Sequence, residues 1–132
     1  MRSRALVACA VLGALACTSL AGAKPSDAPA PDRVGVRGLE FDLLLSKGKV
    51  KPGDVIVQFV NAGEDPHDLQ LQRLGPDGTQ VGPQLGAGVV APGTYDNLDL
   101  HLKKGSRYVL WCSLADHRQR GMEATLKVGK HR

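Results

Sequence analysis

Short runs in which apolar and polar residues alternate are the feature that most constrains the fold of this chain. The clearest run is HDLQLQ at 67–72, which the turn sequence GPDG follows at 75–78. Further runs lie at 39–43, 55–60, 98–102, 108–112 and 122–128. A period of two places alternate side chains on opposite faces of a β-strand. Six or more such strands in about 100 residues predict an all-β domain built as a two-sheet β-sandwich.

Length and composition limit what can surround these strands. The chain has 132 residues, enough for one globular domain. Segment 24–33, KPSDAPAPDR, has three prolines among small and charged residues, which predicts a flexible leader before a folded domain at 34–132. Residues 79–93 are rich in Gly and Pro without a consistent period, so we interpret them as a variable connection. The net charge of +4 is small and no basic stretch carries interleaved aromatic residues, so nucleic acid is not an expected partner.

Residues 1–23 have the pattern of a signal peptide. Two arginines precede an apolar run of 13 residues at 5–17, and the sequence Ala-Gly-Ala at 21–23 is a cleavage site of the A-x-A type. A bilayer span needs about 20 apolar residues, so no membrane span is predicted. Cleavage after Ala23 would make the protein periplasmic or secreted. The alternative is lipid attachment at Cys17, which would tether the protein to a membrane.

Cleavage would leave Cys112 as the only thiol of the mature chain and Met122 as its only thioether. Cys112 ends one predicted strand in phase with inward-facing residues, and Met122 opens the last strand on its inward phase. His67 opens a third strand on the inward phase, and His117 lies in the loop midway between Cys112 and Met122. If these strands are antiparallel, the four side chains meet at one end of the sandwich.

The chemistry of this set indicates a copper site. Two imidazoles, one thiolate and one thioether are expected for a copper ion with a His₂Cys plane and a weak axial Met. Zinc gains little from a thioether. Each residue alone would be interpreted as a core or loop residue, but the four together favour a metal. His101 is predicted to face outward and His131 lies beyond the last strand, so neither is a candidate ligand.

Three motifs carry a resemblance to a known family. They are Pro66-His67-Asp68, the pattern G-x-x-Y-x-x-x-C from Gly105 to Cys112, and the spacing Cys112-x₄-His117-x₄-Met122 with Gly121 before the methionine. Over residues 38–129 the chain resembles the type 1 blue-copper proteins, the cupredoxins of the plastocyanin, azurin and rusticyanin kind. Its ligand spacing is closer to the rusticyanin and sulfocyanin type than to plastocyanin.

The resemblance implies a cupredoxin-like Greek-key β-sandwich that holds one type 1 copper ion. The metal ligands it implies are His67, Cys112 and His117 in the equatorial plane and Met122 on the axis. It also implies that Asp68 bonds to the Ser113 region and ties two ligand-bearing segments together.

The predicted function is one-electron exchange between Cu(II) and Cu(I), by an exported monomer that meets a protein redox partner. Electrons are expected to pass through the edge of His117, the ligand in the polar loop. Arg118 and Arg120 in that loop are interpreted first as solvated charges and second as a docking rim for an acidic partner. Trp111 is interpreted as packing on the sheet face rather than as an electron conduit.

No enzymatic motif in the sequence competes with this interpretation. A multicopper oxidase would need a histidine on each side of the cysteine, where this chain has Trp111 and Ser113. The alternative function is a copper-binding module that sequesters or delivers the ion without electron transfer. A weaker alternative is a metal-free interaction domain in which Cys112 is a core thiol.

Overall fold

The computed structural model describes residues 28–129, which form nine strands. The strands are β1 (Asp32–Leu39), β2 (Asp42–Leu45), β3 (Lys49–Val50), β4 (Gly53–Asn61), β5 (His67–Leu74), β6 (Gln80–Val90), β7 (Tyr95–Leu102), β8 (Arg107–Trp111) and β9 (Glu123–Val128). The expected signal peptide, Cys17 and His131 lie outside the described residues. Between residues 28 and 129 there is no helix that is long and apolar enough to cross a membrane.

The strands form two sheets. One has the order β2-β1-β4-β7 and the other the order β3-β9-β8-β5-β6. The pairings of β1 with β4 and of β3 with β9 are parallel, and the others are antiparallel. The structure therefore confirms the predicted all-β, two-sheet sandwich.

Apolar side chains from both sheets form one core. Val55, Val57 and Phe59 of β4 are at most 1% exposed, and Leu69 and Leu71 of β5 are fully buried in the same cluster. Burial of each such side chain contributes about 1.5–3 kcal/mol relative to exposure. The period-two interpretation of both segments is thus confirmed.

The chain reverses direction where the sequence predicted a single strand over 39–43. β1 ends at Leu39, β2 begins at Asp42, and these two residues pair across the reversal. The apolar alternation therefore spans two strands and the turn between them, so the single-strand prediction is wrong. Glu40 and Phe41 form this turn, and both side chains contact the candidate metal centre.

Residues 79–93, interpreted from the sequence as a variable connection, contain the edge strand β6. Its pairing with β5 has two irregularities in register, and Gly82 within it adopts a φ of 75° before Pro83. An edge strand tolerates such residues because one of its sides makes no ladder hydrogen bonds. Most side chains of β6 are exposed, so the strand lacks the buried alternation by which the other strands were predicted.

Candidate metal centre

The antiparallel pairing of β5 with β8 brings two predicted ligands together, because His67 begins β5 and Cys112 directly follows β8. The Cys112 Sγ lies 3.9 Å from Nδ1 of His67 and 3.4 Å from Nδ1 of His117. The two Nδ1 atoms are 3.2 Å apart. All three donor atoms lie within 4.8 Å of one another and therefore face a common point.

The four candidate ligands are buried to different degrees. His67, Cys112 and Met122 are 0% exposed, whereas His117 is 9% exposed. His117 is therefore the candidate ligand nearest to solvent. Burial is the main cause that raises the pKa of the Cys112 thiol, and the negative charge of Asp68 acts in the same direction. A cation bound at the sulfur would oppose both effects by stabilising the thiolate.

The connection between β8 and β9 supplies three of the four candidate ligands. The Cys112 N–H donates to the Met122 carbonyl at 3.2 Å, and the Met122 N–H donates to the His117 carbonyl at 3.0 Å. Gly121 adopts a φ of 110°, which favours glycine, directly before Met122. These bonds fix the spacing of the three residues, and His67 lies with Cys112 and His117 in the cluster of donor atoms.

The chemistry of the donors fits copper and excludes hard cations. The three clustered donor atoms are two imidazole nitrogens and one sulfur, with no carboxylate oxygen among them. Ca²⁺ and Mg²⁺ prefer oxygen ligands, whereas imidazole with thiolate and thioether suits copper. Met122 is buried in the same apolar cluster as Cys112.

Asp68 joins the two ligand-bearing segments. Its Oδ1 accepts a hydrogen bond from the Ser113 N–H at 2.6 Å, and its Oδ2 accepts from the Ser113 hydroxyl and, at 2.8 Å, from Gln70 Nε2. Burial alone would raise the pKa of Asp68, but these hydrogen bonds hold it below its ordinary value. The prediction that Asp68 bonds to the Ser113 region is confirmed. The carboxylate fixes the start of β5, with His67, to the chain that follows Cys112.

Glu40, a residue that was not predicted from the sequence, contacts the other ring nitrogen of His67. Its Oε1 is 3.1 Å from His67 Nε2 and accepts hydrogen bonds from the N–H groups of Glu64 at 2.7 Å and Asp65 at 2.9 Å. These bonds lower the pKa of Glu40 to about 2, and the bond from the Asp65 N–H has the largest effect. The carboxylate is therefore charged. No motif marks Glu40, because the β1–β2 turn and β5 come together only in the folded chain.

Phe41, the other residue of the turn, covers His117. The centroids of the two rings are 4.8 Å apart at an interplanar angle of 56°. The guanidinium carbon of Arg120 lies 3.5 Å over the Phe41 ring in turn. The same two-residue turn therefore contacts both imidazoles, one through a carboxylate and one through an aromatic ring.

Arg118 is held by neighbouring side chains. Its Nε donates to Glu123 at 2.6 Å, and its Nη2 donates to Gln80 at 3.0 Å. Its guanidinium carbon lies 4.5 Å over the ring of Trp111, which is buried as part of the sheet face. Arg118 is therefore a partly exposed charge that is also paired with neighbouring side chains, and the packing role of Trp111 agrees with the structure.

The structure leaves His101 outside the cluster, as predicted. It lies on β7, in the sheet that does not carry the candidate ligands, and it is exposed. Its Nδ1 is 2.8 Å from the Asp54 carboxylate on the neighbouring strand β4.

Comparison with known proteins identifies the fold through solved structures. No protein-family model and no curated protein sequence matches the chain. Reduced auracyanin from the photosynthetic bacterium Roseiflexus castenholzii matches with a TM-score of 0.60 and 16% identity, over 76% of this chain and 99% of auracyanin. Rusticyanin from Thiobacillus ferrooxidans matches with a TM-score of 0.55 and 19% identity, over 75% of this chain and 79% of rusticyanin. The chain has the cupredoxin fold.

The cupredoxin fold also occurs in a larger protein that matches this chain. A multicopper oxidase superimposes with a TM-score of 0.50 and 20% identity, over 73% of this chain and 41% of the oxidase. These likenesses establish the architecture of the chain. A fold of this kind can carry different functions, so the chemistry of the site depends on its own residues.

Proposed function

We propose that this protein is an exported blue-copper electron carrier that holds one type 1 copper ion. The proposed ligands are His67, Cys112 and His117 in a plane, with Met122 on the axis. When bound there, the ion supplies a one-electron Cu(II)/Cu(I) couple. The proposal therefore assigns the protein to electron transfer rather than to enzymatic turnover.

The convergence of Cys112 Sγ with two imidazole Nδ1 atoms in a buried pocket is the observation that carries this proposal. Backbone hydrogen bonds in the β8–β9 connection and the Asp68–Ser113 bonds constrain the segments that carry the donors. A rigid site changes little between two oxidation states of its metal. Electron transfer is favoured by a small rearrangement, so the geometry supports a carrier.

His117 is the proposed exit for the electron. It is the most exposed of the four candidate ligands. Its loop lies at the same end of the sandwich as the contact between Phe41 and Arg120. A protein partner would approach this end. Charge on Arg120 would favour an acidic surface on that partner.

Copper loading tests the proposal directly. The purified full chain should bind one copper ion and show the intense absorption of a Cys-thiolate-to-Cu(II) transition. Cys112→Ala should lose this band, whereas His101→Ala, a matched change at an exposed histidine, should keep it. A colourless wild-type protein that binds no copper would refute the proposed site.

Reversible cycling separates an electron carrier from the alternative of copper sequestration or delivery. A carrier should be reduced and reoxidised repeatedly with retention of its copper, and should show a defined potential by voltammetry. A delivery module should instead lose Cu(I) to an external chelator on reduction. Retention of the ion through many cycles would support electron transfer.

Export after cleavage at Ala23 and a monomeric state complete the proposal. Mass spectrometry of the protein recovered from outside the cytoplasm should give Lys24 as the first residue without lipid. An acylated chain that starts at Cys17 would show that the protein is tethered to a membrane.

A further inference from the structure

A single oxygen of the Glu40 carboxylate lies within hydrogen-bond distance of three nitrogen atoms. Oε1 faces His67 Nε2 at 3.1 Å, the Glu64 N–H at 2.7 Å and the Asp65 N–H at 2.9 Å. The Glu40 side chain is 30% exposed, whereas that of His67 is 0% exposed. The contact between them therefore joins a buried candidate ligand to a charge at the protein surface.

This contact determines which nitrogen of His67 carries the proton. A carboxylate can only accept a hydrogen bond, so the Nε2 that faces it must bear hydrogen. In neutral imidazole the other nitrogen then has a lone pair, and Nδ1 faces Cys112 Sγ and His117 Nδ1. The tautomer that Glu40 selects is the one that leaves Nδ1 available to a metal.

We propose that Glu40 is a positioning residue that holds His67 with Nδ1 toward Cys112 and His117, and that its negative charge biases the site toward Cu(II). The second part rests on the proposed copper function, whereas the first concerns His67 alone. Partners of this kind orient histidine ligands and raise their basicity in metal sites generally. A negative charge beside a ligand stabilises the more highly charged ion, so it lowers the reduction potential.

Gly63 provides the space that this arrangement needs. A Cβ built at residue 63 would overlap the Glu40 carboxylate, with Oε1 as the nearest atom. Since that carboxylate is the far end of a flexible side chain, a larger residue at 63 would displace it. Gly63→Ala therefore moves the charge away from His67 without removing it.

Glu40 also accepts two backbone N–H groups, so a purely structural role in holding the 63–65 loop must be distinguished from a role toward His67. Glu40→Gln keeps an accepting oxygen but removes the charge. Glu40→Ala removes both. Glu64→Gln removes one charge from an exposed neighbour that makes no side-chain contact with His67, and it serves as the matched control.

Nitrogen-15 NMR of the His67 ring in metal-free full-length protein tests the positioning role. Wild type and Glu40→Gln should show a protonated Nε2 and an unprotonated Nδ1. Glu40→Ala and Gly63→Ala should each show a mixture of tautomers. An unchanged wild-type tautomer in Glu40→Ala would overturn this role, and because no copper is present the result does not depend on the proposed function.

Voltammetry of the copper-loaded variants tests the role of the charge. Removal of the charge in Glu40→Gln should shift the Cu(II)/Cu(I) equilibrium toward Cu(I) by roughly tenfold, a rise of about 59 mV in potential. Glu64→Gln should shift it by much less. Equal potentials in these two variants would overturn this part, whereas a colourless wild type would refute the copper proposal and leave the NMR result intact.

Discussion

The guanidinium carbon of Arg120 lies 3.5 Å over the ring of Phe41, as a cation–π contact. The Phe41 ring in turn packs at a tilt against His117, the most exposed of the four candidate ligands. The arginine and the ring together form a cover on the side where an electron is proposed to leave. The composition of this cover should therefore affect both access to the site and recognition of a partner.

Removal of the ring should open the site to small reductants. We expect Phe41→Leu to keep the copper spectrum and to increase the rate of reduction by a small inorganic reagent severalfold, because the His117 edge becomes more exposed. Stopped-flow absorbance measures this rate. Tyr95→Leu changes an aromatic residue that is 64% exposed and has no contact with His117, and it should leave the rate unchanged. Equal rates in wild type and Phe41→Leu would show that the ring does not limit access.

Charge at the cover should control encounter with an acidic partner. Arg118 is paired with Glu123, so Arg120 should contribute more of the effective positive charge. Arg120→Gln is expected to slow bimolecular electron transfer to the physiological partner several-fold and to weaken its dependence on ionic strength. Such charge effects are screened over about 8 Å at physiological salt.

The matched control for this experiment is Lys104→Gln. Lys104 precedes β8 and so lies at the opposite end of that strand from Cys112. The Lys104→Gln substitution should leave the rate of electron transfer and its salt dependence close to those of wild type. Transfer rates that respond to neither substitution nor to salt would indicate an apolar docking surface.

Met122 should affect the reduction potential of the site more than its affinity for copper. A weak axial donor contributes little to binding but stabilises Cu(II), so Met122→Leu should keep copper and colour while raising the reduction potential. Each rise of about 59 mV corresponds to roughly 1.4 kcal/mol for one electron. Voltammetry measures the change, and an unaltered potential would contradict the axial assignment.

Asp32 should make the stability of the fold depend on pH. The Lys47 ammonium, at 2.6 Å, and the N–H groups of Lys51 and Arg33 lower the pKa of Asp32 to about 2, from an ordinary value of 3.8. A carboxyl whose pKa is lower in the folded state stabilises it above the unfolded pKa and loses that effect as pH falls. Asp32→Asn should therefore lower the free energy of unfolding by about 1 kcal/mol at pH 7.

Denaturant titrations between neutral pH and about pH 2 check this prediction. The difference between wild type and Asp32→Asn should shrink from about pH 4 downward. Asp99→Asn removes a charge from an exposed position on β7 and should show little difference at any pH. A constant difference across the range would mean that Asp32 acts through something other than its charge.

The strand that begins at Asp32 starts two residues before the expected domain boundary at 34.

The candidate ligands could be predicted from the sequence because their spacing and phase are local properties. Cys112, His117 and Met122 belong to one connection, and the strand periodicity placed His67 on the inward side. Glu40 and Phe41 could not be predicted, because they contact the imidazoles only after β1 reverses into β2. The alternation across 39–43 concealed that reversal, since an apolar residue of the turn happened to continue the pattern of the strand.

The contact of Arg120 with Phe41 also could not be predicted from the sequence. The sequence placed Arg120 correctly in the polar loop but offered no means to recognise its contact with Phe41, which depends on two segments that are distant along the chain. Edge strand β6 was missed for a different reason: its side chains face solvent, so no burial pattern was imposed on its composition.

The space left at Gly63 has a consequence for how this sequence can evolve. Any side chain there competes with the Glu40 carboxylate for one volume, so the two positions are not free to vary separately. A lineage that acquires a larger residue at 63 must first shorten or lose the acid at 40, or accept a less constrained His67. Among homologous sequences we therefore expect residues 40 and 63 to change as a pair, with glycine retained at 63 wherever a glutamate stands at 40.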